Sequence, residues 1–249
     1  MGLLTCGLAQ LLAESDAAPQ DARCFFYDET RLRASARVHD QVLYRAERDT
    51  RPARTVVAAD GSDVTWRLDR VTYPGVDLPT GELGRSVGHW NPPSQWEIFE
   101  VLQGEIVVLT TLGSGPVELV RCHQGSAVCL RPGSWHLTYV LRGPAVVANI
   151  YTEPIRRATG KYFSAPTVRV GLRLDAGEIV TFTAEPPPAI VWRQAPERRD
   201  IIGGRATLEE LLTSPTVTGM LKDPSSTARS AFPLGQVELT YQSRNGENS

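Results

Sequence analysis

The chain has 249 residues, long enough for one large or two modest domains with a sizeable buried core. Hydrophobic residues at 41% and charged residues at 22% are ordinary for a soluble globular protein. The formal net charge is -2 with both signs interspersed, which leaves no electrostatic footprint for nucleic acid and no polybasic segment for a membrane surface.

At the N-terminus, Leu3, Leu4, Leu8, Leu11 and Leu12 are spaced as in a short amphipathic helix. No Lys or Arg precedes this run, and Gln10 and Glu14 interrupt it, so it is not read as a signal peptide. A myristoylation motif fails at Cys6, where Ser or Thr is needed. An Arg-rich stretch follows from Arg31 to Arg54, with Arg31, Arg33 and Arg37 expected on one basic helix face. Nothing in the chain approaches the apolar length of a membrane-spanning helix.

From about Val56 to Thr183 strand signals dominate. Val64–Leu68, Ile98–Leu102, Glu105–Thr110 and Ala145–Tyr151 are β-branched or alternating runs. Pro74-Gly75, Gly113–Pro116, Pro132-Gly133 and Arg142–Pro144 separate them as turns. Short strands at this spacing predict an antiparallel sandwich or barrel. Beyond Pro186–Pro188 the pattern changes. Thr207, with Glu210 three residues later, begins a capping box, and Ser214-Pro215 opens a second short helix. The polar tail from Arg244 is expected to be disordered. The expected division is an N-terminal helical or irregular arm over 1–55, a barrel over 56–183 and a C-terminal extension over 184–249. The four cysteines form no C-x-x-C pair and read as reduced thiols of a cytoplasmic protein, the alternative being that Cys122 and Cys129 face each other across a hairpin.

Two of the four histidines stand out. Gly88-His89-Trp90-Asn91 precedes Glu97-Ile-Phe-Glu-Val-Leu-Gln-Gly104, and Pro132-Gly-Ser-Trp-His136 follows. Side chains alternate along a strand, so His89 and Asn91 share a face, as do Glu97, Phe99 and Val101. If His136 opens a strand across the barrel, His89, Glu97 and His136 converge. Two imidazoles and a carboxylate with open positions suit one divalent ion of Fe, Mn, Ni or Zn.

These stretches resemble the two motifs of the cupin superfamily, and most closely those of cupin-type glucose-6-phosphate isomerases. The matching pieces are Ser86-Val-Gly-His-Trp-Asn91, the Glu97–Gly104 strand and Pro132-Gly-Ser-Trp-His-Leu-Thr138, with flanking strands near Leu68–Gly75 and Ile150-Tyr151. The resemblance spans about a third of the chain. It implies an all-β fold, a single cupin (double-stranded β-helix, jelly-roll) barrel with terminal extensions. It also implies metal ligation by His89, Asn91, Glu97 and His136, with Glu97 as catalytic base. Ser86, Gly88, Thr138 and Tyr151 are then the expected substrate-binding residues. Two positions depart from the family: Asn91 stands for its second His, and Phe99 for its Tyr.

The first functional reading is a metal-dependent isomerase or epimerase acting on a sugar phosphate or a related small, anionic or sugar-like metabolite. The alternatives are a non-haem Fe(II) oxygenase on the same triad and a non-catalytic small-molecule-binding cupin. A homodimer is expected, with the N-terminal segment covering an edge strand. Tyr73, Tyr139 and Tyr162 are weaker candidates for cavity hydroxyls, and Arg156, Arg157 and Lys161 for an anion contact. His39 and His123 are read as structural or exposed.

Overall fold

Two long strands organise the molecule. In this computed structural model they are β6 (Glu97–Leu112) and β9 (Ser134–Glu153), and they pair antiparallel along nearly their whole length. The structure describes residues 2–50, 54–57, 63–91, 95, 97–113, 115–131, 133–153 and 168–197. The helices expected near Thr207 and Ser214, the tail from Arg244, and Arg156, Arg157, Lys161 and Tyr162 lie outside them.

The β6–β9 ribbon folds over near its middle and so belongs to both walls of a barrel. On the first wall, the early part of β6 pairs with the late part of β9, Glu97 facing Tyr151. That wall continues through β4 (Asp63–Tyr73), β2 (Val42–Arg48) and β1 (Gly2–Gly7) on one side and β8 (Ala127–Leu130) on the other. β3 (Arg54–Val57) pairs with the start of β4. On the second wall, the late part of β6 pairs with the early part of β9, Thr110 facing His136. β5 (His89–Trp90), β7 (Val117–His123) and β12 (Ile190–Gln194) complete it, β12 lying parallel to β7. This is a double-stranded β-helix, a barrel as the strand pattern predicts and the jelly roll that the motif resemblance implies.

The fold-over is local chemistry. The β6–β9 register shifts between Val101 and Ile106, and Gly104 in that bend has φ +79°. A Cβ there would come 2.6 Å from the Arg142 carbonyl oxygen and 2.7 Å from that of Pro144. Only glycine fits both the left-handed backbone and the close approach. Arg142–Pro144, expected as a turn, instead lies within β9 at the same bend.

Alternation then sorts the side chains. Val71, Tyr73, Val101, Ile106, Val108, Val120, Val140 and Val147 form the barrel interior. On the outer face of the second wall, Leu83, Leu109, Leu119, Trp135, Leu137 and Tyr139 form another cluster. The hairpin of β10 (Val170–Asp175) and β11 (Glu178–Thr183) covers it through Val170 and Leu172.

The N-terminal arm corrects one expectation. Leu3 and Leu4 lie in β1 rather than in a helix, because the main chain from Gly2 to Cys6 pairs with β2 from Arg48 back to Tyr44. A tertiary ladder overrides a helical spacing that rests on only a few leucines. Helix α1 (Leu8–Ala17) starts where that ladder ends and buries Leu8, Leu11 and Leu12 against Phe26, Leu32, Leu43 and Val87. Arg31 and Arg33 lie in α2 (Glu29–Ala34), but Arg37 sits in a separate 3-10 turn, so the three share no helix face. Arg33 instead bonds Asp16 and Glu29. Cys122 and Cys129 are buried, free thiols. No helix among the described residues is long and apolar enough to cross a membrane.

Candidate metal centre

The site begins with two cross-strand neighbours. β5 is only two residues long, yet it pairs His89 with His136 and Trp90 with Trp135. Directly opposed residues share a face, and the two imidazole centroids are 4.1 Å apart. The preceding Gly88 permits this approach: a Cβ there would fall 2.0 Å from the Trp135 indole. Glu97 arrives from the other wall, as the first residue of β6. Its Oε2 lies 3.3 Å from His136 Nε2. One ligand atom from each of His89, Glu97 and His136 falls within 4.8 Å of the other two. A small side-chain adjustment would bring them within about 4.4 Å, the separation that ligand bonds of about 2.0–2.2 Å to one shared ion allow.

Burial decides how this cluster is read. Glu97 and Asn91 are each 2% exposed, and His136 is 1% exposed. Glu97 Oε2, both His136 ring nitrogens, both polar atoms of the Asn91 amide and Asn149 Oδ1 are buried without an aligned hydrogen bond. Buried polar atoms in folded proteins are nearly always paired, and each orphan costs about 1–3 kcal/mol. Several converging on one point mark a place built for a bound group. The donor set of two imidazoles, one carboxylate and one amide fits a divalent ion of the borderline class.

The electrostatics agree. Burial pushes the Glu97 carboxyl up to about 7, against the smaller opposing influence of the nearby Asn149 and Asn91 amides and of Arg48. Burial lowers His89 to about 4 and holds His136 well below the ordinary imidazole range. Both imidazoles are therefore neutral near pH 7, the form in which they ligate metals.

The other expected residues separate. Asn91 lies two residues beyond His89, its backbone N–H bonded to Ser134 O at 2.8 Å and its amide buried beside Glu97. Thr138 is buried on the His136 face, with its hydroxyl against Tyr73 inside the barrel. Ser86 is committed elsewhere, since its Oγ accepts the Thr138 N–H at 2.9 Å. Gly88 contributes close packing on Trp135. Tyr151 stands opposite Glu97 with its hydroxyl beside Asp69 and Arg48, and burial pushes it up to about 12. Tyr139 points out of the barrel, donating to Val170 O at 2.9 Å. Phe99 packs edge-on to His136, 5.7 Å between centroids. His39 is exposed, whereas His123 lies between Glu197 at 2.6 Å and Gln194 at 3.1 Å and so anchors the end of β12.

Sequence reasoning passed over two buried acids. Asp69, fully buried in β4, receives Arg48 Nη1 from β2 and the Asp49 N–H at 3.0 Å. The signal was available: Asp69 has the inward parity of Val71 and Tyr73, a charge at a core position. Glu82, also fully buried, pairs with Arg85 at 2.9 Å. It lies in a loop, where no periodicity marks it.

No known protein family's sequence profile matches the chain, and no curated protein matches it. Among solved structures it is similar to cupin-fold proteins. KdgF from Halomonas sp. aligns at 13% identity and TM-score 0.30, over 44% of this chain and 79% of that one. A mutant of Bacillus subtilis oxalate decarboxylase OxdC aligns at 13% identity and TM-score 0.32, over 46% of this chain and 29% of its own. Recombinant oxalate oxidase in complex with glycolate aligns at 18% identity and TM-score 0.28, over 41% of this chain and 49% of its own. The chain thus spans less than a third of the oxalate decarboxylase and about half of the oxalate oxidase. Likeness at this level carries nothing about this chain's chemistry.

Proposed function

We propose that the chain is a metal-dependent cupin enzyme of the isomerase or epimerase class, acting on a small polar metabolite. His89, Glu97 and His136 would hold one divalent ion, with Asn91 as a weak fourth donor. The observation that carries this reading is the set of buried, unpartnered polar atoms on Asn91, Glu97 and His136 around one point. The motif resemblance to cupin-type glucose-6-phosphate isomerases supports the reaction class.

When bound, the ion supplies a Lewis acid that polarises neighbouring oxygens of the substrate. The chain's own part is to position and to move a proton. As a ligand Glu97 would be held as the carboxylate, the form that can accept a proton from a substrate carbon or hydroxyl. Thr138 and Tyr73 offer hydroxyls on the inner wall, and Phe99 keeps water from the His136 ring. Elemental analysis of purified wild type and Glu97→Ala is the test. Near one ion per chain is expected for wild type and none for the variant. A wild type that takes up no added Fe, Mn, Ni or Zn overturns the reading.

Asn91 favours a second reading. With His absent there, two imidazoles and one carboxylate form the facial set used by non-haem Fe(II) oxygenases. Turnover that is unchanged under strict anaerobiosis excludes it.

A further inference from the structure

The inner face of the second wall carries a cavity that holds none of the candidate metal ligands. Its volume is about 240 Å³, and Thr110, Glu118, Val120, Val128, Ser134 and Arg193 stand in its wall. Strand parity fixes where these side chains point. Leu109, Leu119 and Trp135, one residue away on β6, β7 and β9, belong to the cluster on the outer face, and Trp192 of β12 packs against the same cluster. Thr110, Glu118, Ser134 and Arg193 therefore share the inner face with His136. Val120 and Val128 belong to the barrel interior.

The cavity adjoins the metal centre. Thr110 stands directly opposite His136, and Glu118 directly opposite Thr110. Ser134 lies two residues before His136 on β9, and its carbonyl holds the Asn91 N–H at 2.8 Å. The row from His136 through Thr110 to Glu118 covers two strand spacings, about 10 Å. A six-carbon molecule with one end on the ion has its other end over this row.

Arg193 is set up to meet that end. It donates from Nε to Glu118 Oε1 at 3.2 Å, and 23% of its side chain is exposed. Its two Nη groups have no partner among the described residues, so the guanidinium is fixed along one edge and open along the other. A fork held in this way receives an oxyanion through two N–H groups at once.

Charge favours an anion there over a neutral group. Glu118 balances Arg193, and Arg131, which borders the cavity, has no carboxylate partner among the described residues. No other described residue of the wall is charged, which leaves one positive charge in excess. We propose that Arg193, held by Glu118, is the specificity-determining contact for an oxyanion, a phosphate monoester or a carboxylate, at the end of the ligand remote from the ion. The ligand is two-ended, with hydroxyl or carboxyl oxygens at the metal centre and the anion at Arg193. This rests on the metal-centre reading above and narrows its substrate class to small metabolites with a distal anion.

The test uses protein loaded with Co(II), whose visible absorption reports its coordination, titrated separately with gluconate, glucarate and 6-phosphogluconate. All three offer the ion the same hydroxy-acid end, and only the last two carry a second anion at the far carbon. At least one of those two is expected to bind about tenfold or more tightly than gluconate, and which one does so tells carboxylate from phosphate. Arg193→Gln is expected to bring that compound down to the affinity of gluconate, with cobalt content unchanged. Because Arg193→Gln leaves Glu118 without its cation, the double variant Glu118→Gln/Arg193→Gln removes both charges together, and the same loss is expected there. Equal affinity of wild type for all three compounds, no binding of any of them, or an advantage of the second anion that survives in the double variant overturns the proposal. If the protein takes up no cobalt, the metal-centre reading falls, and the three compounds are titrated by calorimetry into the metal-free protein. A preference there for a second anion that the double variant loses upholds the Arg193 contact; no preference, or one that is unchanged, removes it.

Discussion

Two buried polar constellations flank the second wall of the barrel, and they are built on opposite terms. Outside it, Glu82 and Arg85 pair at 2.9 Å. Glu82 also accepts the Tyr27 N–H at 3.3 Å, and Arg85 donates to Phe25 O at 3.0 Å and to the Tyr139 hydroxyl at 3.3 Å. The guanidinium further stacks over the Phe26 ring, 5.0 Å from its centroid. Inside the wall, Glu97 and His136 are as deeply buried and His89 partly so, yet Glu97 Oε2 and both His136 nitrogens lack aligned partners. The outer cluster pairs its charges internally, with only Arg85 Nε left without an aligned partner, and it joins the N-terminal arm, the barrel and the β10–β11 hairpin. The inner cluster is complete only with something added. Burial alone therefore does not mark a functional group; burial without partners does.

Removing a ligand tests the inner cluster hardest. His136→Ala should abolish stoichiometric metal binding, read by elemental analysis, while leaving a cooperative urea transition. Loss of folding with retained metal affinity would reverse the contrast between the two clusters.

The outer cluster should answer in stability. Glu82→Ala leaves Arg85 buried without its carboxylate, and a loss of about 3–5 kcal/mol is expected from denaturant unfolding. Glu97→Gln in the metal-free protein should match wild type in stability well below pH 4.5, where the Glu97 carboxyl is neutral in both folded and unfolded states.

Proton linkage gives a smaller, signed effect. Glu97, raised by burial to about 7, binds its proton more tightly in the folded chain than in the unfolded one. Its contribution to the metal-free fold is present below its ordinary value of 4.5 and lost as pH rises through about 7. His89, lowered to about 4, acts in the other direction, its contribution being lost as pH falls from 6.5 toward about 4. Metal uptake must displace the Glu97 proton, so affinity should climb about tenfold per pH unit up to about pH 7 and flatten above it. Competition with a chelator across pH 5–8 measures the slope, and a flat profile would mean that Glu97 is not a ligand.

The smallest effect belongs to Tyr139→Phe, which removes one donor to Val170 O and one acceptor for Arg85. About 1–2 kcal/mol of stability should be lost, with metal content unchanged.

The sequence made the strands of the barrel legible through short-range alternation, and the grouping of His89, Glu97 and His136 legible through the motif resemblance. Alternation put Glu97 and Phe99 on one face, and Gly104 marked the bend in β6. What stayed hidden depends on long-range pairing. Leu3 and Leu4 fit a helix until β2 is placed beside them, and β12 joins β7 in parallel across some seventy residues of chain. Arg48 and Asp69 come from different strands, and only the β2–β4 pairing brings them together. Glu82 and Arg85 sit three apart in a loop, where no strand or helix period draws attention to a buried pair.

The fold-over of the β6–β9 ribbon has a mechanical consequence. Glu97 begins β6 and pairs near the far end of β9, whereas His136 lies near the start of β9 and pairs near the far end of β6. The two are remote along the ribbon and meet only because it is doubled back, as His136 Nε2 and Glu97 Oε2 do at 3.3 Å. An ion shared between them would act as a clasp across the two ends of a folded strip. Straightening the strip would first require opening the clasp, so the loaded protein should unfold far more slowly than the empty one even where their folding rates are alike.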